Sequence, residues 1–353
     1  MSNVESNTLN EFELKYKLTK WLKTMRIQTA LVTSLALWVG FISVSSLTIR
    51  SAIVLGAIGI FFHIFGFTMN EVKDYKYDAS INTDTDHPIA QGHVHAGIAR
   101  YVAWGMYILA VVVSAISPYP IEATIVLGLA VVPGHMYNAF SKTQWWSNIY
   151  LSCWAMMMVL AGALYAGSVN NITLLLATVI GIQIFVQVIE GDLKDIVGDE
   201  ESVCTKLGVG TTSVQSYFKN SNISETSSQT VVKYTKKFPA VIYGLKAIEL
   251  SILGYIVMLN TTSLLSLSQW YLTLYFIALI VFVSSMSMVM VYLYDRDRIK
   301  KMSSLHETSS IILIGLTVYP MNPHGGILVA VAPVAWYIIS NTLLHSSPLN
   351  PDI

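Results

Sequence analysis

Six residues in two short segments have the types and spacing to do chemistry. Asn70, Asp74 and Asp78 recur at i, i+4 and i+8, and Asp192, Asp195 and Asp199 at i, i+3 and i+7. On a helix, either set projects from successive turns of one face. Like charges at this spacing repel and destabilise a bare helix, so each set calls for a cation. Carboxylate and water oxygens suit Mg²⁺ or Mn²⁺, and Mg²⁺ typically combines a few carboxylates with substrate phosphates. Two such faces, brought together, can hold metal ions against a diphosphate and offset its charge as it leaves. Other site chemistries lack their residues. No thiolate or His-pair pattern for zinc is present, Cys153 and Cys204 have no CxxC spacing, and no GxxxxGK[ST] element occurs.

The elements that must position these residues are membrane spans. Hydrophobic residues make up 54% of the 353-residue chain and charged residues 12%, about half the roughly 25% of a soluble chain. Mean hydropathy is +0.56. Apolar stretches run 27–47, 52–69, 97–116, 121–139, 146–166, 171–189, 239–259 and 269–293, near the roughly 20 residues that cross a bilayer as a helix. After these, 308–320 is apolar but short, Pro320, Pro323, Gly325 and Gly326 interrupt, and 327–344 is apolar again. The pattern predicts an all-α, polytopic helical bundle of nine membrane spans, and admits ten. The apolar runs are continuous rather than alternating, which excludes a β-barrel. Charges balance at 21 basic and 21 acidic, so nothing recommends nucleic acid as a partner.

Residues 1–26 read as a polar N-terminal arm without a signal-peptide pattern, and 27–345 as the membrane domain, with cap loops at 70–96 and 190–238. With alternating spans, 19 of the 21 Lys and Arg residues fall on one side. The positive-inside rule makes that side cytoplasmic. Both aspartate sets emerge there, each at the end of an even-numbered span. The segments 70–78 and 191–199 also align without a gap. Lys73 matches Lys194, Asp74 matches Asp195 and Asp78 matches Asp199, as internal duplication in a membrane fold would produce.

On these residues the chain resembles the UbiA superfamily of intramembrane prenyltransferases. Asn70-Glu71-Val72-Lys73-Asp74-Tyr75-Lys76-Tyr77-Asp78 is similar to that family's first signature, and Asp192-Leu193-Lys194-Asp195-Ile196-Val197-Gly198-Asp199 to its second. Thr205-Lys206-Leu207-Gly208 resembles the segment that follows, and His87-Pro88-Ile89-Ala90-Gln91-Gly92 an RPxxxG-like stretch. The resemblance implies a fold of about nine transmembrane helices around a central cavity and a Mg²⁺-dependent enzyme that moves a polyprenyl group from its diphosphate to a lipophilic acceptor in the bilayer. That acceptor would be a quinone or aromatic precursor, or a glycerol-phosphate lipid. It also implies that Asn70, Asp74, Asp78, Asp192, Asp195 and Asp199 hold metal and diphosphate, with Asp74, Asp78, Asp195 and Asp199 catalytic. Tyr137 and Lys142 become diphosphate contacts. Lys73 and Lys194 are weaker candidates, since positive-inside charge explains them equally well.

The chain departs from the pattern in three places. His87 stands where Arg is common, Gly191 breaks a strict fourfold spacing, and 209–232 is a Ser/Thr/Asn-rich insertion expected to be mobile. His63, seven residues before Asn70, and Gln183, Gln187 and Glu190, on one face before Asp192, are expected to face the cavity, because intramembrane polar groups are costly unless paired or hydrated. Lys246 and Glu249, at i, i+3, are expected to pair, and Met156 to Met158 to pack. A terpene cyclase on the same fold is the alternative enzymatic reading. An ion-coupled transporter fits less well, because the aspartates sit at span ends rather than at the midplane.

Overall fold

The computed structural model describes residues 2–81, 87–115, 120–141, 144–195, 203–215, 228–260, 268–291 and 296–345. The chain enters through α1 (Ser2–Thr24) and a 3-10 turn (Ile27–Thr29). It then runs through α2 (Ala30–Ile42), α3 (Ile49–Ile81), α4 (Ala96–Ser114), α5 (Pro120–Phe140), α6 (Asn148–Tyr165) and α7 (Asn171–Asp195). A one-turn helix α8 (Val203–Lys206) leads into strands β1 (Val209–Gln215) and β2 (Ser228–Tyr234). Then come α9 (Lys237–Leu259), α10 (Gln269–Val291), α11 (Arg296–Val318) and α12 (Pro323–His345). Eight of these helices have the length and apolarity of a span, and Glu13–Thr24 with Ile27–Ile42, bent by 51°, makes a ninth. The protein is a multi-pass, helical membrane protein. Outward apolar side chains such as Ile98, Tyr101, Ile108 and Val112 on α4 are the surface lipid would cover.

Two features differ from expectation. Part of the polar insertion is ordered: β1 and β2 pair antiparallel, from Val209 opposite Tyr234 to Gln215 opposite Ser228. The second difference is α11. It lacks span composition, yet it is a 23-residue helix, about 35 Å at 1.5 Å per residue, and it lies along α7 and α10. Ser303 and His306 bond Glu190 of α7, Ser310 bonds Gln183, and Tyr271 at the start of α10 donates to the Leu316 carbonyl. The polar stretch that shortens the apolar run at 308–320 is answered inside the bundle, so α11, although not apolar enough for a span, runs along α7 and α10 between the two ends.

Contacts also fix the helix directions. Trp38 Nε1 donates to the Ala52 carbonyl and Ser34 Oγ to the Gly56 carbonyl, while His63 meets Thr33 and the Arg26 carbonyl. So α3 runs antiparallel to α2. Ser43, just past α2, meets Thr173 at 2.6 Å and accepts from Asn170, so α7 is antiparallel to α2 as well. The C-terminal ends of α3 and α7 therefore lie at the same end of the bundle as the start of α2. Trp336 Nε1 donates to the Ile27 carbonyl at 2.7 Å, which returns α12 to that same end. Close approach holds the centre: a Cβ at Gly40 on α2 would strike the Val159 carbonyl of α6, and one at Gly162 on α6 the Leu37 carbonyl of α2. The core between them includes Leu37, Phe62, Met158 and Leu176. Met158 is buried, with Met156 and Met157 packed against the core, so the methionine run packs as expected.

Candidate active site

Helix length carries the first motif out of the apolar layer. α3 has 33 residues, about 50 Å against a hydrocarbon core of about 30 Å. Asn70, Asp74 and Asp78 ride on the projecting part and are half-buried, whereas Lys73 and Lys76 are exposed. The loop after α3 folds back over this segment. Gly92, at φ 77°, closes a compact turn in which the amides of His93 and Val94 bond the Pro88 carbonyl. Ile89 and Val94 are buried there against Val72, with Trp21 of α1 alongside. The same turn sets His87 Nδ1 3.4 Å from Glu71 Oε1. The Glu71 carboxylate holds the His87 imidazole above its usual pKa, against the opposing effect of burial. At the break between α1 and α2, Arg26 takes φ 45° and lays its guanidinium over the Phe67 ring, 5.2 Å from the centroid. Phe67 precedes Asn70 by three residues and Asp74 by seven, so this cation lies on the face that leads into the motif.

The second motif begins in the last turn of α7. Asp192 is half-buried and accepts from Asn148 Nδ2, at the start of α6, at 3.1 Å. Asp195 is the last residue of α7. Its side chain and that of Lys194, and all of Asp199 and Lys142, lie outside the described residues. Among the described residues no group of three His, Cys, Asp or Glu side chains converges as a metal cluster. Tyr137 is half-buried in the last turn of α5, ahead of a connection in which Ser141 Oγ and Gln144 Oε1 are buried without a partner. Asn70 Oδ1 and Glu71 Oε2 share that condition on α3. A buried polar atom left unpaired costs about 1–3 kcal/mol. All four atoms are oxygens, the donor type that Mg²⁺ or its bound water satisfies. The motif side chains at this end among the described residues, Asn70, Asp74, Asp78 and Asp192, likewise offer only oxygen or amide groups, the chemistry a hard divalent cation takes.

Other polar residues are placed differently from expectation. His63 is 2% exposed. Its Nδ1 meets Thr33 Oγ1 at 2.9 Å and its Nε2 the Arg26 carbonyl at 3.0 Å. Both ring nitrogens are engaged, so His63 ties α3 to the start of α2 instead of lining a pocket. Gln183 and Glu190 likewise turn to α9 and α11, because Lys246, Ser310, Ser303 and His306 offer partners there. Gln187 is half-buried between them. Lys246 and Glu249 pair at 2.7 Å, as their spacing predicts. Glu71, Asn148 and Arg26 are additions that sequence reading misses. Only Glu71, an acid inside the first motif, leaves a trace in the spacing.

A sequence profile of the UbiA prenyltransferase family matches residues 29–311. The chain belongs to this family. As a UbiA family member it is an intramembrane prenyltransferase. No curated protein matches it in sequence. Among solved structures, one from a study of digeranylgeranylglyceryl phosphate synthase in membranes is similar, with a TM-score of 0.58, 18% identity, and coverage of 86% of this chain and 98% of that one. An apo UbiA homologue from Aeropyrum pernix K1 gives 0.55 and 16%, covering 82% and 97%. A UbiA homologue from Archaeoglobus fulgidus bound to DMAPP and Mg²⁺ gives 0.52 and 15%, covering 84% and 99%. At these identities the likeness is one of fold, and the UbiA fold is what this chain has.

Proposed function

We propose that the protein transfers a polyprenyl group from its diphosphate to a lipophilic acceptor, with Mg²⁺ held by Asn70, Asp74, Asp78, Asp192, Asp195 and Asp199. The observation that supports this reading is that the C-terminal turns of α3 and α7, which carry Asn70, Asp74, Asp78 and Asp192, lie at the same end of the bundle, where Asn70 Oδ1 is buried without a donor. The fold-neighbour from Archaeoglobus fulgidus, bound to DMAPP and Mg²⁺, supports the same ligand class. When bound, Mg²⁺ offsets the diphosphate charge so that the allylic carbon–oxygen bond can break. The protein's own groups supply the rest. Asn148 fixes the Asp192 carboxylate by its hydrogen bond, Arg26 adds positive charge beside the first motif, and Tyr137 and Lys142 contact the departing diphosphate. The turn at 87–94 covers the first motif and limits water at the reacting carbon. Nineteen of the 21 basic residues belong to the motif-bearing side of an alternating chain, which supports an active site facing the cytoplasm.

The test supplies labelled prenyl diphosphates of increasing length to purified protein, with and without a membrane lipid extract, and identifies the lipophilic product by mass. Diphosphate release that depends on the extract, with a product heavier by the prenyl group, is expected. Release with no acceptor and a hydrocarbon product would replace transfer by cyclisation.

A further inference from the structure

We propose that Glu190, held by His306 and Ser303, is a positioning residue for Asp192, the first aspartate of the second motif. This rests on the metal-site reading above and names what keeps Asp192 in register. The motif begins where α7 ends, and helix ends fray unless they are tied. Glu190 is 1% exposed, and both its oxygens are taken by α11. His306 Nδ1 lies 2.7 Å from Oε1, and Ser303 Oγ donates to Oε2 at 3.0 Å. With a carboxylate as acceptor, the imidazole proton sits on Nδ1. The His306 ring is itself backed by Phe282, with centroids 4.8 Å apart.

Two residues further on, about 200° around the helix, Asp192 meets Asn148 of α6 at 3.1 Å. Opposite sides of one turn are therefore fastened to different helices, and together they fix the rotation of α7 about its axis. The fastening matters because the lever is long. A carboxylate about 6 Å from the axis moves about 2 Å for a rotation of 20°, and misplacement of about 1 Å can cost a hundredfold in rate. The same interface has a second polar contact deeper in the bundle, where Ser310 donates to Gln183 at 2.7 Å and Lys246 donates to the same oxygen. Gln183 is seven residues, about 10 Å, from Glu190. It can hold the helices together but cannot set the last turn.

The test uses the full-length protein in detergent with four variants: Glu190→Ala, His306→Leu, Glu190→Gln and Gln183→Leu. Two constants are read on the folded fraction: the Mg²⁺ concentration for half-maximal diphosphate release, and the affinity for Mn²⁺ alone by electron paramagnetic resonance. Glu190→Ala and His306→Leu should each weaken both constants about tenfold, the lower end of what outer groups around a metal contribute. Glu190→Gln keeps an acceptor for His306 and a partner for Ser303, so it should stay within about twofold of wild type by the same reasoning. Gln183→Leu should lower the melting temperature and leave both constants unchanged. If Glu190→Ala does not fold, Ser303→Ala, which removes one of the two bonds, should move the same constants by a smaller factor. Wild-type constants in Glu190→Ala and His306→Leu, or an equal shift in Gln183→Leu, would overturn the positioning role. A wild-type protein that binds no Mn²⁺ would instead remove the metal-site reading beneath it.

Discussion

Lys246 and Glu249 sit in the apolar interior at 0% exposure, 2.7 Å apart. Lys246 also donates to Gln183 and lies 5.2 Å from the centre of the Phe282 ring. At an effective dielectric of about 20, opposite charges at that separation attract by about 6 kcal/mol. Desolvation costs several kcal/mol for each ion. The two effects nearly cancel for the intact pair, but not when one partner is removed. Lys246→Met leaves the Glu249 carboxylate with neither oxygen paired, since Oε1 already lacks a partner. It should therefore cost about 3–5 kcal/mol. Glu249→Met leaves the ammonium with Gln183 and the Phe282 ring and should cost somewhat less. The double variant Lys246→Met/Glu249→Met removes both charges while keeping side-chain length, and should lie within about 2 kcal/mol of wild type. Unfolding in dodecyl maltoside micelles titrated with SDS measures all four proteins. A Lys246→Met protein as stable as wild type, or a double variant weaker than either single one, would refute this reasoning.

Three further outcomes follow from the geometry. Asp74→Ala should lower kcat about 10²–10³-fold by removing a group that offsets transition-state charge, whereas Lys73→Ala, exposed on the same helix, should stay near wild type; equal losses would indicate a general defect. The His87–Glu71 contact should stabilise the protein more at pH 6 than at pH 8.5. The folded pKa of His87 is raised, so its contribution is complete below the unfolded value of about 6.5 and is lost as pH rises through the raised one. The melting-temperature gap between wild type and His87→Leu should narrow over that range, and a gap that widens would contradict the sign. Gly162→Ala places a methyl against the Leu37 carbonyl and should destabilise by about 1–3 kcal/mol through overpacking, measured by the same micellar unfolding.

What the sequence makes legible, and what it hides, follows from the range of each interaction. The two aspartate sets and most spans are local patterns of spacing and apolarity, so they can be read directly. Lys246 and Glu249 pair within one helix, and their spacing is enough. His63, Gln183 and Glu190 are different. Their positions on a helix face are readable, but their partners, Thr33, Ser310 and His306, are 30 to 127 residues away in the chain. Polarity inside a span therefore looks like a pocket until the neighbouring helix is placed. The same pairing hides α11, whose Ser303, His306 and Ser310 make it too polar to read as a span although α7 answers each of them. The hairpin is hidden for another reason. Val-Gly-Thr-Thr-Ser-Val-Gln at 209–215 has too few large apolar residues for a strand signal, and its pairing with 228–234 crosses a long polar gap.

The central claim is tested most directly by release of inorganic diphosphate from a prenyl diphosphate by the purified protein, with a lipid extract as acceptor source. Release should stop in EDTA, return when Mg²⁺ is restored, and fall about 10²–10³-fold in Asp74→Asn at saturating Mg²⁺. Full release in metal-free buffer, or an Asp74→Asn protein that turns over like wild type, would contradict the account.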